Sequence, residues 1–495
     1  MEKKEPMGEE LLRSLAELCP ECVTETPDGG QKVDLAALRA ALTGEETYEL
    51  TWPGKGESAR RAQTPSAMAL RPCPEESVEF EATGNLYIEG ENLDALKLLR
   101  ETHAGQIKLI CIDPPYNTGQ DRMYRDSFRR GNPHARWLDL MYPRLLLARE
   151  LLREDGVILI NIDEHEQPNL AKLCEEIFGE RNDLGTIVWD KRNPKGDARR
   201  IAMQHEYILA WAKNFDILSK THPIVRPKRN AQRILKEAAK IFFTSGTLEQ
   251  ANRRLGEWCA AQKDLTGGER AYCRLDENGE VYRPVSMAWP NKRKAPNEYF
   301  VPLIHPVTGK PCPVPRRGWR NPPETMAGLR EQGLILFGPD ETTQPTRKYY
   351  LKDNMMENIP SLLYHGGSDD ALLRELGIPF DNPKVVSVVK EHVRAFTRPG
   401  DTVLDFFSGS GTTAHAVLEL NAEDGGARPF ILIQSAEETA PDSPAYQAGF
   451  ETISQLGRAR IRRAGERLLD DLGLMRGNLD VGFKVLKVVP REEDQ

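Results

Sequence analysis

Residues 107–119 read IKLICIDPPYNTG, and the fold follows from taking this stretch as the end of a buried strand. Ile107–Ile112 is an apolar run of strand length, interrupted by Lys108 alone. It stops at Asp113-Pro114-Pro115-Tyr116, which is thereby placed at the carboxyl edge of a sheet, where open α/β folds bind their ligands. Two successive prolines lack N–H groups and fix φ, so this corner is stiff and its prolines offer only carbonyl acceptors. Asp113 adds a carboxylate acceptor and Tyr116 a flat aromatic face. Two acceptors beside a stacking surface suit a planar ring with an exocyclic amino group, whose two N–H donors take one acceptor each. The lone pair of such an amine is delocalised into its ring. Holding both protons favours a pyramidal nitrogen aimed at an electrophile, a preorganised stabilisation of the transition state. A base inside a duplex reaches such a pocket only by flipping out. The bland alternative is a rigid strand-to-loop turn whose tyrosine fills the core.

Outward from the corner, strands and helices alternate. Asn85–Gly90 reads as a strand, Asn92–Thr102 as a helix, and His134–Arg153 as a helix with Leu138, Met141, Leu145 and Leu152 on one side. Gly156–Ile162 is a second buried strand and Gln167–Phe178 a helix, with further strands at Gly185–Trp189 and Glu206–Trp211. The pattern then fades into a stretch with one helical segment (Ala231–Lys263) and many prolines and aromatics. It returns with a helix at Val385–Phe396, a strand at Thr402–Phe407, a helix at Thr412–Asn421 and a strand at Pro429–Ile433. A basic amphipathic helix at Ile453–Leu472 and a strand at Gly482–Val489 close the chain. This spacing predicts an α/β fold: a Rossmann-like parallel sheet with helices on both faces. It gives four segments: an N-terminal helical region and arm (1–80), the half carrying DPPY (81–215), a central insertion (216–350) and the half carrying a glycine loop (351–495). Thr51–Pro74, rich in Pro, Gly and Arg, reads as an irregular connecting arm.

The glycine loop is Ser408-Gly409-Ser410-Gly411, set between the strand TVLDFF and the helix beginning Thr412-Thr413. Glycines let the backbone turn tightly and approach a ligand, and the N–H groups at a helix start favour a negative group such as a carboxylate. Gly409-Ser410-Gly411-Thr412-Thr413-Ala414 fits the loose G-x-G-x-x-G/A dinucleotide pattern. The acidic ribose partner is expected after the next strand, where Gln434 and Glu437 follow FILIQ. Asp405 would hold the turn or face an ammonium group. The absence of GxxxxGK[ST] argues against a nucleotide-hydrolysing P-loop. Acceptor corner and glycine loop on one sheet together imply a methyl donor with an amino-acid tail beside a base bearing an amino group: S-adenosylmethionine, and adenine or cytosine.

Composition narrows the class. Charged residues make up 29% and the hydrophobic set 39%, as in a soluble globular protein. The longest apolar runs, such as Gly156–Ile162, fall far short of the ~18 residues of a membrane helix. No signal peptide is visible, and eight scattered cysteines suit a reducing cytoplasm. Cys19-Pro20-Glu21-Cys22 is half of a zinc pattern without a second half, so no metal is expected. The net charge of −8 is segregated: between Lys191 and Arg320 stand 26 Lys/Arg against 12 Asp/Glu, a balance of +14, while the remainder carries −22. A basic block in an acidic chain is the footprint of a segment facing a polyanion, or else a solvated basic surface.

These motifs resemble one family, the modification (Mod) subunits of type III restriction–modification systems, which are β-class DNA adenine-N6 methyltransferases. The resemblance runs through YELTWPGK (48–55), NLYIEGENLDALKLL (85–99), IKLICIDPPYNTG (107–119), WLDLMYPRLLLARELL (137–152), HEYILAWAKN (205–214), LILFGPD (334–340), NPKVVSVVKEHV (382–393) and VLDFFSGSGTTAHAVLELN (403–421). It implies that Asp113, Pro114, Pro115 and Tyr116 hold the target adenine. It also implies that Asp405, Phe407, Gly409 and Gly411 contact S-adenosylmethionine, with Thr412 and Thr413 starting the supporting helix. Glu91 and Asn92 stand where the family has Asp-Asn, and Glu91 keeps the charge while adding a methylene. The segment between Tyr116 and Trp137 is shorter than is usual there. The basic insertion corresponds to the family's target-recognition region. The implied partners are double-stranded DNA, a second Mod copy and a restriction (Res) subunit.

Other readings stand beside this one. N4-cytosine methylation uses the same scaffold, although Asp at position 113 favours adenine; a non-catalytic DNA-recognition subunit and a Rossmann dehydrogenase are further alternatives. Pro72-Cys73 and Pro311-Cys312 sit in loop-like arms, which argues against cytosine-C5 chemistry. Tyr207 reads as core in preference to pocket lining, and Cys111 as a small core residue. Trp258, Trp289 and Trp319 are read equally as base-stacking or packing residues. Arg458, Arg460, Arg462, Arg463 and Arg467 read as a solvated helix face.

Overall fold

The computed structural model describes residues 14–15, 22–25, 31–33, 38, 49–120, 126–128, 131–192, 201–473, 477 and 479–491. Most of the expected N-terminal helical pattern, and Cys19 of the Cys19–Cys22 pair, lie outside these residues. The chain forms two compact units, one made of Met1–Pro223 with Pro360–Gln495 and the other of Ile224–Ile359. The boundaries differ from the expected 216–350, because Phe215–Thr221 is a helix whose Leu218 is buried in the first unit.

The first unit is built on a ten-stranded sheet. Its strands, in chain order, are β1 (Met68–Pro72), β2 (Leu86–Glu89), β3 (Ile107–Ile112), β4 (Leu152–Ile162) and β5 (Asp183–Asp190). They continue with β6 (His205–Ala212), β7 (Leu362–Tyr364), β8 (Val403–Asp405), β9 (Phe430–Gln434) and β10 (Lys484–Pro490). Across the sheet they run β7-β5-β6-β4-β3-β8-β9-β2-β10-β1. All of β3 is buried, as its apolar run requires. Its one charge, Lys108, is fully buried and reaches Asp155 Oδ2 at 3.0 Å, so the cost of desolvation is offset by an ion pair. Helices Asn92–His103, Pro133–Leu151 and Gln167–Phe178 pack with this sheet into one large core that includes Leu96, Trp137, Leu145 and Leu170. Full burial of each such side chain stabilises by roughly 1.5–3 kcal/mol.

Two expectations are corrected. The sheet is mixed: β6 runs antiparallel to β4 and β5, and β1 antiparallel to β10. The run HEYILAWA is apolar on both faces, so it carries no signal of strand direction. The arm 51–74 is also not irregular: it holds a helix, Lys55–Gln63, and the edge strand β1. Tertiary contacts hold it in place, with Trp52 Nε1 and Ser58 Oγ donating to Asp139 Oδ1 at 2.9 and 2.6 Å.

The central strands β3 and β8 are parallel neighbours, with Val403 opposite Leu109. The chain leaves β3 toward β4 on one side and leaves β8 toward β9 on the other. That divergence opens a crevice beyond their carboxyl ends.

In the second unit the expected single helix of Ala231–Lys263 is two, Ala231–Phe243 and Leu248–Ala261. Thr247 caps the second by accepting from Gln250 N at 3.2 Å, so the chain restarts the helix there. A four-stranded antiparallel sheet is formed by Arg274–Leu275, Val281–Ser286, Thr346–Tyr350 and Ile335–Leu336. Trp319 is 2% exposed and donates to Val301 O, so it packs the core instead of stacking on a base. Among the described residues, no helix is long and apolar enough to cross a membrane.

Candidate active site

The crevice is a cavity of about 350 Å³ lined from both central strands. Of the expected residues, Asp113, Pro115, Asp405, Phe407, Gly409 and Thr412 line it, as do Glu91, Asn92 and Glu437. Pro114, Tyr116 and Gly411 are not among its lining residues.

The corner after β3 is fixed from several directions. The Pro115 carbonyl accepts from Trp137 Nε1 at 2.7 Å. Asn117 takes a left-handed φ of 61°, which asparagine tolerates better than most residues. Its N–H donates to Asp126 Oδ1 at 2.8 Å, and its Nδ2 donates to the buried Glu166 at 2.5 Å. Tyr116 Oη donates to Glu206 Oε2 at 3.2 Å and accepts from Lys384 Nζ at 2.5 Å. Lys384 Nζ also lies 2.8 Å from Glu206 Oε2 and 3.2 Å from Asp113 Oδ1. Lys191 donates to the other Glu206 oxygen at 2.9 Å.

These charges tune one another. Burial raises the Asp113 carboxyl above its ordinary range, and Lys384 opposes that shift. Burial would also raise Glu206, yet Lys384 and Lys191 hold it down to about 2. Burial disfavours the Lys384 ammonium, but Asp113 and Glu206 outweigh it and keep that group charged. Lys384, Glu206 and Lys191 were not among the residues expected here. Lys384 lies within NPKVVSVVKEHV and Glu206 is the second residue of HEYILAWA, but neither stretch shows which charge its residue faces.

The loop after β8 is shaped by its backbone. Gly409 and Gly411 have φ of 50° and 79°. A Cβ on Gly411 would meet Ile461 Cγ1 at 3.2 Å and Gly457 O at 3.4 Å. Asp405 ties the turn together by accepting from Phe407 N at 3.0 Å and Thr413 Oγ1 at 2.6 Å. Burial raises its carboxyl to about 7. Gln434 Oε1 accepts from Gly409 N at 2.7 Å, so this residue braces the loop. Arg460 Nη1 donates to Ser410 Oγ and Thr412 Oγ1 at 2.6 and 2.8 Å. The solvated face expected for the late helix is thus overturned at two positions. Arg460 is fully buried, and Arg458, 6% exposed, pairs with Glu76 at 2.8 Å and Glu89 at 2.5 Å.

Glu91 caps the helix that starts at Asn92 and pairs with the buried Arg144. Arg144 Nε donates to Asn92 Oδ1 at 2.6 Å, and Asn92 Nδ2 donates to Phe406 O at 2.8 Å. This bridge links the carboxyl end of β2 to that of β8. Tyr207 packs partly buried against the core and its hydroxyl meets His205 Nε2 at 2.9 Å.

Residues 107–443 match the DNA methylase family model. The EcoP15I Mod subunit of Escherichia coli, a type III restriction–modification enzyme, is 31% identical, with 95% of this chain and 76% of that protein covered.

The chain belongs to this DNA methylase family.

Its group within the family is that of the type III modification subunits. The StyLTI Mod subunit of Salmonella typhimurium is 30% identical over 91% of this chain and 68% of that protein. Among solved structures, the M1.HpyAVI–SAM complex aligns with 76% of this chain and 98% of that one, at 15% identity and a TM-score of 0.33. The methylase is a DNA methyltransferase, which sets the dehydrogenase reading aside. S-adenosylmethionine is the family's methyl donor, and the residues present fit it. The loop after β8 turns through left-handed φ at Gly409 and Gly411, which brings its backbone to the cavity, and the helix start at Thr412 suits a carboxylate. The Glu437 side of the cavity suits ribose hydroxyls, and Phe380, Ile433 and Ile453 supply apolar lining for a purine.

Proposed function

We propose that this DNA methyltransferase methylates the N6 amino group of adenine in double-stranded DNA, as the modification subunit of a type III restriction–modification system. The observation that carries the reading is that Asp113 and the glycine loop line one cavity. In this reading Asp113 and the Pro114 carbonyl accept the two amino protons of a flipped adenine, since the Pro115 carbonyl is already taken by Trp137. Tyr116, held by Lys384 and Glu206, stacks on the ring. When bound, S-adenosylmethionine supplies an electrophilic methyl carbon. Gly409, Gly411, Asp405 and Thr412 shape its tail site, and Glu91, Asn92, Phe407 and Glu437 line the rest. As the amine nitrogen gains the methyl carbon, the donor's S–CH3 bond would break and leave a neutral thioether; the amine then sheds one proton, and Asp113, raised by burial, is placed to take it.

The second unit is the proposed target-recognition region. In it, Arg283 lies over the Tyr272 and Tyr349 rings at 5.0 and 5.7 Å, and Arg347 over Tyr349 at 5.5 Å. Such guanidinium–aromatic rows suit phosphate and base contacts. A second copy of the chain, a Res subunit and a cytoplasmic setting complete the proposal. Incubation with tritiated S-adenosylmethionine and unmethylated genomic DNA, followed by nucleoside analysis, should put label in N6-methyladenine. Label in N4-methylcytosine would overturn the base assignment, and a chain that binds donor yet labels nothing would be a recognition subunit without catalysis.

A further inference from the structure

Asp113 does not stand alone in its cavity. Lys384, whose side chain is 12% exposed, sits among three groups of the acceptor corner and its strand neighbour: Asp113, Tyr116 and Glu206. It arrives from the segment before the helix Val386–Phe396, far along the chain from the other three. Its ammonium lies 4.9 Å from the Tyr116 ring centroid and 5.9 Å from that of Trp189. Glu206 fixes it from behind, and Lys191 satisfies the other Glu206 oxygen.

This arrangement answers a chemical need. A carboxylate can accept two N–H donors, but a protonated carboxyl becomes a donor itself and would repel an amino group. Burial and the neighbouring Glu206 both push Asp113 toward the protonated form. Asp405, on the adjacent strand, adds a further negative group when ionised, and Asp113 in turn acts on it. Two cations act on Asp113: Lys384, 3.2 Å from Oδ1, and Lys191, whose own ammonium Asp113 favours in turn. It also fixes the Tyr116 ring by donating to Oη, while Oη donates to Glu206.

We infer that Lys384 is a positioning residue of the transfer site: clamped by Glu206, it keeps Asp113 in the proton-accepting form and holds Tyr116 ready to stack on the base. The inference rests on the reading of Asp113 as the acceptor of the target amine. It assigns the Lys384–Glu206 pair the task of setting the pH at which the corner works, separate from donor binding in the glycine loop.

The test is the pH profile of kcat/KM for methyl transfer from tritiated S-adenosylmethionine to unmethylated genomic DNA, measured on the full chain. Calorimetric donor binding and a melting curve are run on each variant. Lys384→Met should keep donor affinity within about threefold, and should lose roughly 10- to 100-fold in kcat/KM at pH 7. Its acid limb should move to higher pH, because the cation that favours the ionised carboxyl is gone. Lys384→Arg should return the limb toward the wild-type position. Glu206→Gln removes a negative neighbour of Asp113, so its limb should move to lower pH, the opposite direction. General loosening of the corner cannot give shifts of opposite sign. A rate loss in Lys384→Met that is uniform across pH, or a Glu206→Gln limb moved upward, overturns the inference. If Lys384→Met does not fold, Lys384→Gln takes its place, and an acid limb that this variant leaves unmoved overturns the inference. Should Asp113→Ala itself retain transfer, the underlying reading of Asp113 fails, whatever the lysine variants show.

Discussion

Two aspartates end adjacent strands of one sheet, and burial raises both, but a cation opposes the shift at only one of them. Asp113, after β3, faces the ammonium of Lys384 at 3.2 Å. Asp405, closing β8, binds two neutral donors, Phe407 N and Thr413 Oγ1. The first is held near a cation that favours its charge, while the second is raised to about 7 by burial. The difference separates chemistry from architecture. The β3 corner is assembled from charges brought by distant segments, and in the proposed reading it acts on a substrate amine. The β8 loop is assembled mostly from its own backbone and near neighbours and is placed to shape a donor site.

The sharpest way to break this comparison is Asp113→Ala. It should lower methyl transfer by at least about 10³-fold and leave calorimetric donor binding close to wild type. Loss of both together would mean that the two sites are not separable. Gly411→Val makes the reciprocal cut. At φ 79°, with a Cβ 3.2 Å from Ile461, a branched residue is strained and crowded. Left-handed backbone alone costs roughly 1–2 kcal/mol, so donor affinity should fall about 10- to 100-fold. Undiminished affinity would show that the donor lies elsewhere.

Much of this contrast was legible in the sequence, and the unreadable part has a physical cause. Ile107–Ile112 and Gln167–Phe178 are found where their apolar patterns put them, since burial on known faces leaves a period in the residues. The glycine loop is legible because positive φ selects glycine. Lys384 was not, because its partners Tyr116 and Glu206 lie 268 and 178 residues away. Arg460 misled for a related reason. Five arginines along one helix read as a wet face, and nothing local says that one of them turns inward to two loop hydroxyls.

Arg460 sharpens the comparison further, at smaller size. Arg460→Met leaves Ser410 and Thr412 without their buried donor, a loss of about 1–3 kcal/mol. Donor affinity should fall roughly tenfold and the melting temperature by a few degrees, with the acid limb of the pH profile unmoved. A displaced limb would mean that the arginine acts on the β3 corner as well.

A last effect, read in stability alone, belongs to Asp405. Its folded carboxyl, at about 7, lies above the unfolded value near 3.9, so ionising it costs the native state stability. That cost is absent below about pH 4, grows through the interval up to pH 7, and is constant above it. Asp405→Asn removes the titration. Its melting temperature relative to wild type should therefore rise between pH 5 and pH 8. A difference that stays flat or falls would show that Asp405 is held charged.

The account stands most directly on where the target nitrogen comes to rest. A crystal structure with S-adenosylmethionine and DNA should show a flipped adenine whose N6 lies within hydrogen-bond reach of Asp113 and the Pro114 carbonyl. The methyl carbon should approach that nitrogen from the Gly409–Gly411 side at about 3–3.5 Å. An adenine seated away from Asp113, or a donor outside the glycine loop, would contradict it.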